Sequence, residues 1–300
     1  MRLGWTTNLG GILPLPTVHG QLAACRSKKR VRLGVIDWSA RNRSRPTGRY
    51  FRENAMRMTW IVAIAALAVC ATTGPVRADD RDKAVELVEK AIKAHGGEDA
   101  LNRSRSLSRT GEGVWSLTGN VSFTEETVMA LPDRLRLAIE LNKSQRLLMV
   151  VNDDKGWQLV NGAVQELPKE RLEDIREEIY VMWIATLTPL LKEPFKLTPV
   201  ADVMVNGAPA AGVKVSAKGH KDARLYFDKR SDMLVKIERR AREIGLDVEK
   251  SYLFSDYKDV DGVKLPCRET QLVEGKKLSE RTSTTYKLIG RPDEAAFAKP

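Results

Sequence analysis

Side chains that commonly carry out catalysis are few in this sequence, and they lack partners at catalytic spacing. His95 precedes Gly96-Gly97 at the predicted end of a helix, and His220 lies in a polar turn. We interpret His95 as a helix cap, because a partly positive ring suits the negative end of the helix dipole. We interpret His220 as a solvated residue. Cys267 has no basic partner nearby in the sequence, which is typical of an inert thiol.

Acidic residues form two adjacent pairs that could be imagined as a general acid and a general base. Asp153-Asp154 is better explained as a hairpin turn. Glu125 and Glu126 are neighbours in a predicted strand and therefore point to opposite faces. No histidine and cysteine cluster has the spacing of a zinc site, and no glycine-rich loop is suited to phosphate. The sequence therefore predicts no catalytic residue, no metal and no cofactor.

The basic charge of the chain is confined to its beginning. The 300 residues carry a formal charge of +11, and residues 1–78 hold 13 Lys and Arg against 2 Asp and Glu. The remaining 222 residues hold 37 of each sign, so a nucleic-acid partner is not expected. Residues 1–55 are predicted to be an unstructured basic extension, upstream of a true start at Met56 or Met58.

Residues 56–78 have the pattern of a secretory signal peptide. A positive start is followed by an apolar run from Trp60 to Ala71 and by a permissive cleavage site after Ala78. A run of this length is shorter than the ~20 residues that span a bilayer. The pattern predicts export to the periplasm, with a lipid anchor at Cys70 as a minor alternative. Cys267 is then the single cysteine of the mature chain, so no intramolecular disulfide can form.

The residues that follow predict one domain, 79–300, of the α+β class with mostly β structure. Residues 133–141 alternate, with Leu135, Leu137, Ile139 and Leu141 on one face, as expected for an antiparallel strand with one dry side. Twelve further strands separated by turn residues are expected at 106–117, 121–130, 145–152, 156–160, 163–167, 202–206, 211–217, 223–228, 233–242, 247–257, 263–273 and 278–288. The regular spacing predicts a single large curved sheet forming a half-open barrel.

Three helices are expected to accompany this sheet. One runs from about Asp82 to His95 and stops at the glycine pair, and a short one covers Glu98 to Arg103. The third, Lys169 to Leu191, is acidic at its start and strongly apolar later. Its apolar patch is too wide for an amphipathic surface helix, so we expect it to be buried against the concave face of the sheet.

A dozen strands facing one such helix enclose more volume than the helix fills, which predicts a cavity for an apolar ligand. The side chains expected to line it are apolar residues of the strands and of the central helix. They are Phe123, Leu135, Leu137, Ile139, Leu148, Val150, Trp157, Met182, Trp183 and Leu187.

Several short motifs resemble those of a known family. They are Leu131-Pro132-Asp133-Arg134-Leu135-Arg136-Leu137, Asn152-Asp153-Asp154-Lys155-Gly156-Trp157, Tyr226-Phe227-Asp228 with Leu234-Val235, Ser255-Asp256-Tyr257 and Asp261-Gly262-Val263-Lys264-Leu265-Pro266. Together with the export signal, they resemble the bacterial outer-membrane lipoprotein-sorting proteins, the LolA-like and LolB-like carriers and receptors. The resemblance implies a half-open antiparallel barrel that is closed by helices and holds acyl chains. It departs from the soluble carriers at Leu131, where those proteins have a lid-fastening arginine, so this chain is expected to be a divergent member.

The sequence thus favours a monomeric, non-catalytic periplasmic binder of acyl chains, of lipoproteins or of other lipids. The resemblance further implies an inner-membrane donor and an outer-membrane acceptor protein. Two alternatives stay open. One is an envelope accessory module with a filled interior, and the other, with less support, is an envelope hydrolase that uses Cys267 or an acidic pair.

Overall fold

The computed structural model describes residues 78–300, apart from residues 117, 118, 161 and 244. The predicted extension, the signal segment up to residue 77 and Cys70 lie outside the described residues. No helix in the described part of the chain is long and apolar enough to cross a membrane.

The described residues begin with two helices, α1 (Ala78–Ala94) and α2 (Glu98–Arg103). Six strands follow: β1 (Ser106–Trp115), β2 (Val121–Ala130), β3 (Arg134–Leu141), β4 (Gln145–Asn152), β5 (Lys155–Val160) and β6 (Ala163–Glu166). Helix α3 (Lys169–Ile184) and a 3-10 helix (Thr188–Leu191) lead into the second half. This half contains β7 (Lys196–Val205), β8 (Ala208–Ser216), β9 (Ala223–Asp228), β10 (Leu234–Glu243), β11 (Leu246–Val260), β12 (Val263–Val273) and β13 (Lys276–Leu288). A second 3-10 helix spans Glu294–Phe297.

All thirteen strands of the described residues form one antiparallel sheet. Its order is β6-β5-β4-β3-β2-β1-β13-β12-β11-β10-β9-β8-β7. Every pair is a hairpin between consecutive strands except β1 with β13, where Leu107 lies opposite Leu288. Strands β6 and β7 are the two ends of the sheet, which is therefore not closed. The predicted fold class, one large curved antiparallel sheet with helices, is confirmed.

Turn residues fix the register of these hairpins. Asn206 and Gly207 both have positive φ, 50° and 82°, between β7 and β8, as a two-residue type I′ turn requires. Strand β7 begins six residues before the predicted one and includes Pro199. A proline fits there because β7 is an edge strand, where a missing N–H need not break the hydrogen-bond ladder.

Helix α1 ends as predicted at the glycine pair. The amide of Gly97 donates to the carbonyl of Ile92 at 2.9 Å, and both glycines have positive φ. A Cβ atom on Gly96 would lie 2.0 Å from the carbonyl oxygen of Gly262. Gly96 therefore both ends the helix and lets it approach the β11–β12 turn.

Helix α3 is shorter than predicted because a proline follows it. The α-helix ends at Ile184, five residues before Pro189, and the chain resumes as a 3-10 helix. A proline further along an α-helix would remove a hydrogen bond and clash with the preceding turn.

The wide apolar patch of α3 is explained by its two packing partners. Ile175 and Ile179 pack in a cluster with Leu135 and Val151 of the first half of the sheet. Tyr180, Val181 and Ile184 join the main core, which includes α1 and strands β8 to β11. We call the face of the sheet that meets α3 the inner face.

Candidate functional site

A first cavity lies between α3 and the inner face. Its volume is about 150 Å³, and its apolar wall includes Leu107, Met129, Leu131, Phe254 and Leu265. The side chain of Met182 on α3 also lines it.

A second cavity lies beside the first and has a volume of about 130 Å³. Strands β2 to β4 supply most of its apolar wall, through Phe123, Leu135, Leu137, Ile139 and Met149. Ile175 and Met182 of α3 complete that wall.

The two cavities share six lining residues, and five of them are polar. The shared residues are Arg109, Glu178, Met182, Glu269, Gln271 and Arg281. Glu178 and Met182 belong to α3, whereas the other four belong to β1, β12 and β13. The cavities therefore meet at a polar partition. The sequence predicts an apolar space under α3, whereas the structure has polar side chains at its centre.

The floor of this partition is a group of four charged residues that we call the central ion cluster, Arg109, Glu125, Glu269 and Arg281. The Nε atoms of Arg109 and Arg281 lie 3.0 and 2.8 Å from Oε1 of Glu125. Arg281 also donates from Nη1 to Oε2 of Glu269 at 2.9 Å. Burial alone would raise the pKa of Glu269, but the charges of Arg281 and Arg109 lower it to about 2. Glu269 is thus ionised at neutral pH, and the two carboxylates of the cluster face two guanidinium groups.

The roof of the partition is held by a second group of polar residues, which we call the Glu178 anchor. The carboxylate of Glu178 contacts Arg239 and accepts hydrogen bonds from Nζ of Lys250, at 3.1 Å, and from the Tyr252 hydroxyl. Burial opposes ionisation of Glu178, but the charges of Lys250 and Arg239 lower its pKa below the usual value. The anchor therefore ties the middle of α3 to strands β10 and β11 by charge.

Five of the ten predicted lining residues lie at the cavities. Leu135, Leu137, Ile139 and Phe123 line the second cavity, and Met182 lines both. They come together because β2 and β3 pair in register, with Phe123 opposite Leu141 and Thr127 opposite Leu137.

The other five are placed elsewhere. Leu148, Val150 and Trp157 pack around Phe297 of the second 3-10 helix, on the face opposite α3. Strand register explains this placement, since Leu135, Leu137 and Ile139 pair with Val151, Met149 and Leu147. Trp183 and Leu187 lie in the main core, where Trp183 packs edge-on against Phe195 with ring centroids 5.3 Å apart.

The histidines and the cysteine have structural surroundings. His95 is buried, its Nδ1 lies 2.8 Å from the carbonyl oxygen of Ala91, and it lines the first cavity. His220 is not simply solvated, because its ring stacks on Tyr180 with centroids 3.7 Å apart and its Nδ1 lies 2.8 Å from Glu177. Cys267 is buried. Among the described residues, no group of three or more metal-ligating side chains is placed to hold a metal ion.

Sequence reasoning missed the polar partition. Glu125 is buried and Glu126 exposed, as their opposite faces predict, but the buried carboxylate was not recognised as part of the site. The signal available was the row of inward positions on β2, Phe123, Glu125, Thr127 and Met129, which is polar in its middle. Its arginine partners come from β1 and β13, too distant in sequence to be paired with it by pattern alone.

Comparisons with known proteins complete the description. No protein-family model matches the chain, and no curated protein does. The chain is similar to a solved structure of a LolA superfamily protein from Nitrosomonas europaea (11% identity, 72% of this chain and 97% of that chain covered, TM-score 0.49). It is also similar to an outer membrane lipoprotein-sorting protein domain from Vibrio parahaemolyticus (13% identity, 73% and 97% covered, TM-score 0.47). A DUF1329 family protein from Desulfovibrio piger is a further similar structure (10% identity, 72% and 97% covered, TM-score 0.45).

Proposed function

We propose that this protein is a non-catalytic binder and carrier of acyl chains, which it holds between α3 and the inner face of the sheet. The observation that carries the proposal is the pair of cavities under one helix, with apolar walls that include Leu107, Met129, Leu137 and Ile139. Each CH₂ group removed from water there would contribute about 0.8 kcal/mol, so one long chain would be held usefully.

Helix α3 has to move for a long chain to enter. A cavity of about 150 Å³ lined by aliphatic side chains is large enough for a molecule such as benzene, and the two cavities here are of that size, about 150 and 130 Å³. A whole acyl chain needs several times that volume. Because α3 forms one wall of both cavities, its outward displacement would enlarge both.

The sequence supports the location and the partners of such a carrier. The signal pattern at 56–78 favours the periplasm, and the motif resemblance favours the acyl chains of lipoproteins as cargo. We infer a monomer that receives its cargo from an inner-membrane donor and delivers it to an outer-membrane acceptor.

The alternative of an accessory module with a filled interior is favoured by one observation, the small volume of each cavity. The two functions differ in what accompanies the purified protein. We expect native mass spectrometry of the full-length gene product, purified from periplasm without detergent, to show a mass increment that organic extraction releases as acyl lipid. A bare polypeptide mass that also fails to take up oleic acid would favour the filled module.

A pair of matched substitutions tests where the bound acyl chain lies. Leu137 and Leu148 are half-buried leucines on adjacent strands, and Leu137 lines the second cavity whereas Leu148 lies on the opposite face. We expect Leu137→Glu to reduce oleic acid uptake at least tenfold, because a carboxylate would occupy an apolar wall. Leu148→Glu should retain uptake. Equal uptake by two folded variants would contradict the proposed location.

A further inference from the structure

The inner face is divided into apolar and polar zones along a single strand. Going along β2, the inward side chains are Phe123, Glu125, Thr127 and Met129. Phe123 lines the second cavity and Met129 the first. At about 3.4 Å per residue these four positions span roughly 20 Å, with the two polar side chains in the middle.

Neighbouring strands extend this polar zone across the sheet. Arg109 lies on β1, Arg281 on β13, and Glu269 and Gln271 on β12, and these strands are consecutive in the sheet beside β2. Gln271 donates from Nε2 to Oε1 of Glu269 at 2.8 Å, which adds it to the central ion cluster. The polar zone is therefore four strands wide, and a cavity with an apolar wall lies on each side of it.

Displacement of α3 would join the two cavities. The shared lining from α3 consists of Glu178 and Met182 alone, and the remainder of the partition belongs to the sheet. With α3 moved outward, the inner face would present one cleft with two apolar arms and a polar floor between them. A ligand that fills this cleft must itself be apolar at both ends and polar where the ends join.

Unused hydrogen-bonding capacity in the polar zone points to such a ligand. Thr127 is 1% exposed and lines the second cavity, and its hydroxyl has no hydrogen-bond partner among the described residues. The contacts of Arg109 Nε and Arg281 Nε with Glu125 are close, but these three atoms also lack hydrogen-bond geometry. A buried polar group without a partner destabilises the folded protein, so a polar ligand group that bonds to Thr127 would relieve that cost.

The charge of the polar zone limits what that ligand group can be. Arg109, Glu125 and Arg281 are buried and Glu269 is half-buried, and the two arginines are balanced by the two glutamates. The other charged residues that line the second cavity also balance, Arg171, Arg242 and Lys250 against Asp174, Glu178 and Glu243. A net charge brought into this zone would be left without a counter-charge in a place of low polarity, which is costly. An uncharged group with oxygen acceptors and hydroxyl donors, as in an ester or amide linkage, has no such cost.

We propose that the cleft is a site for a two-chain amphiphile, in which the central ion cluster and Thr127 hold an uncharged ester-type or amide-type junction and each cavity takes one chain. This rests on the proposed function, since it names the class of acyl ligand at the same site. It also assigns the buried charges a role that a single-chain carrier would not need.

The first test compares probes on the full-length protein after removal of bound lipid. We expect dioleoylglycerol to bind about 100-fold more tightly than monooleoylglycerol, because linking two chains makes the second binding event intramolecular. Dioleoyl phosphatidic acid should bind more weakly than dioleoylglycerol, because its charge lies next to the junction. If oleic acid binds but dioleoylglycerol has no advantage over monooleoylglycerol, the two-chain site is wrong and the acyl-binding function stands. If no acyl probe binds, both proposals fail.

The second test uses substitutions that act on one part of the cleft. Thr127→Val should weaken dioleoylglycerol binding about fivefold, the value of one ordinary hydrogen bond, whereas Thr127→Ser, which keeps the hydroxyl, should bind it like the wild type. Thr124→Val, on the exposed face of the same strand, is the matched control. Leu131→Trp and Leu137→Trp, one in each cavity, should each lower the affinity for dioleoylglycerol to that for monooleoylglycerol, with circular dichroism as the check that each variant is folded. If both folded tryptophan variants still bind dioleoylglycerol more tightly than monooleoylglycerol, the proposal is overturned.

Discussion

His95 is a buried neutral base in the wall of the first cavity. Burial lowers its pKa below the ordinary 6.5, and the nearby positive charge of Lys264 acts in the same direction, whereas the hydrogen bond to Ala91 opposes them. The Tyr257 ring packs edge-on against it, with centroids 5.4 Å apart. Protonation would therefore place a charge among apolar and aromatic groups in the folded protein, but not in the unfolded one.

The sign of the resulting pH dependence follows from this lowered pKa. Above pH 6.5 the histidine is neutral in both states, so its full contribution to stability is present. As the pH falls below 6.5, the unfolded chain binds a proton that the folded chain resists, and the free energy of unfolding decreases. Urea unfolding should show this decrease between pH 6.5 and 5, and His95→Gln should flatten it. The lowered pKa values of Glu178 and Glu269 place their own titration below 4.5, outside this window. An unchanged slope in the variant would contradict a buried neutral His95.

Helix α3 lines both cavities, so in the proposed function the entry of a ligand depends on it. The Glu178 anchor is its buried ionic tie to β10 and β11, and the side chains of Arg239 and Lys250 are only 3% and 6% exposed. Removing the carboxylate would leave two positive charges short of a partner, although Glu243 still contacts Lys250 at 2.6 Å. Loss of one partner in a buried ion pair typically costs 3–5 kcal/mol.

We therefore expect Glu178→Gln to loosen α3. Hydrogen exchange of peptides from 169–184 should accelerate, and a fluorescent fatty acid should be taken up faster than by the wild type. Glu170→Gln, an exposed change in the first turn of the same helix, is the control. Unaltered exchange in α3, together with unaltered uptake, would mean that the anchor does not control access.

The strands show which parts of the site could be predicted from the sequence. In β3 the alternation of Arg134, Leu135, Arg136 and Leu137 predicts that the leucines face inward. The structure places both leucines in the wall of the second cavity. Strand β4 instead runs Leu147, Leu148, Met149, Val150 and Val151, five apolar residues without alternation. The register of β4 with β3 decides which of them face α3, and it places Leu147, Met149 and Val151 opposite the inward residues of β3. Leu148 and Val150, which the sequence predicts as lining, therefore lie on the other face with Phe297.

The polar partition could not be predicted from the sequence either, and here the reason is different. Buried charges are stable only when they are paired, and the partners of Glu125 lie on strands that are adjacent only in the folded sheet. The β1–β13 pairing that brings Arg281 beside Arg109 joins the two ends of the domain, Leu107 with Leu288. No local pattern encodes such a contact, and only the sheet order reveals it.

At the scale of the whole molecule, the two faces of the sheet differ in what packs against them. The inner face carries the cavities and the helix that covers them. The opposite face is packed in part by the chain end, where fully buried Phe297 contacts a cluster with Ala130 and Val150. Arg134 pairs with Glu294 at 2.8 Å, and its guanidinium lies 5.1 Å from the centre of the Phe297 ring. Phe297 thus stabilises the sheet from the side away from the cleft.

This division predicts that stability and binding can be changed independently. Phe297→Ala would leave a void against Ala130 and Val150, and such a substitution typically costs about 3–5 kcal/mol. We expect a lower urea midpoint together with wild-type affinity for oleic acid, measured under conditions where the variant is fully folded. The Leu137→Glu variant should show the reverse, a larger loss of binding than of stability, because it alters the cavity wall. If Phe297→Ala weakened binding as strongly as Leu137→Glu, the two faces would be coupled through the sheet, and the cluster around Phe297 would have to be counted as part of the binding site.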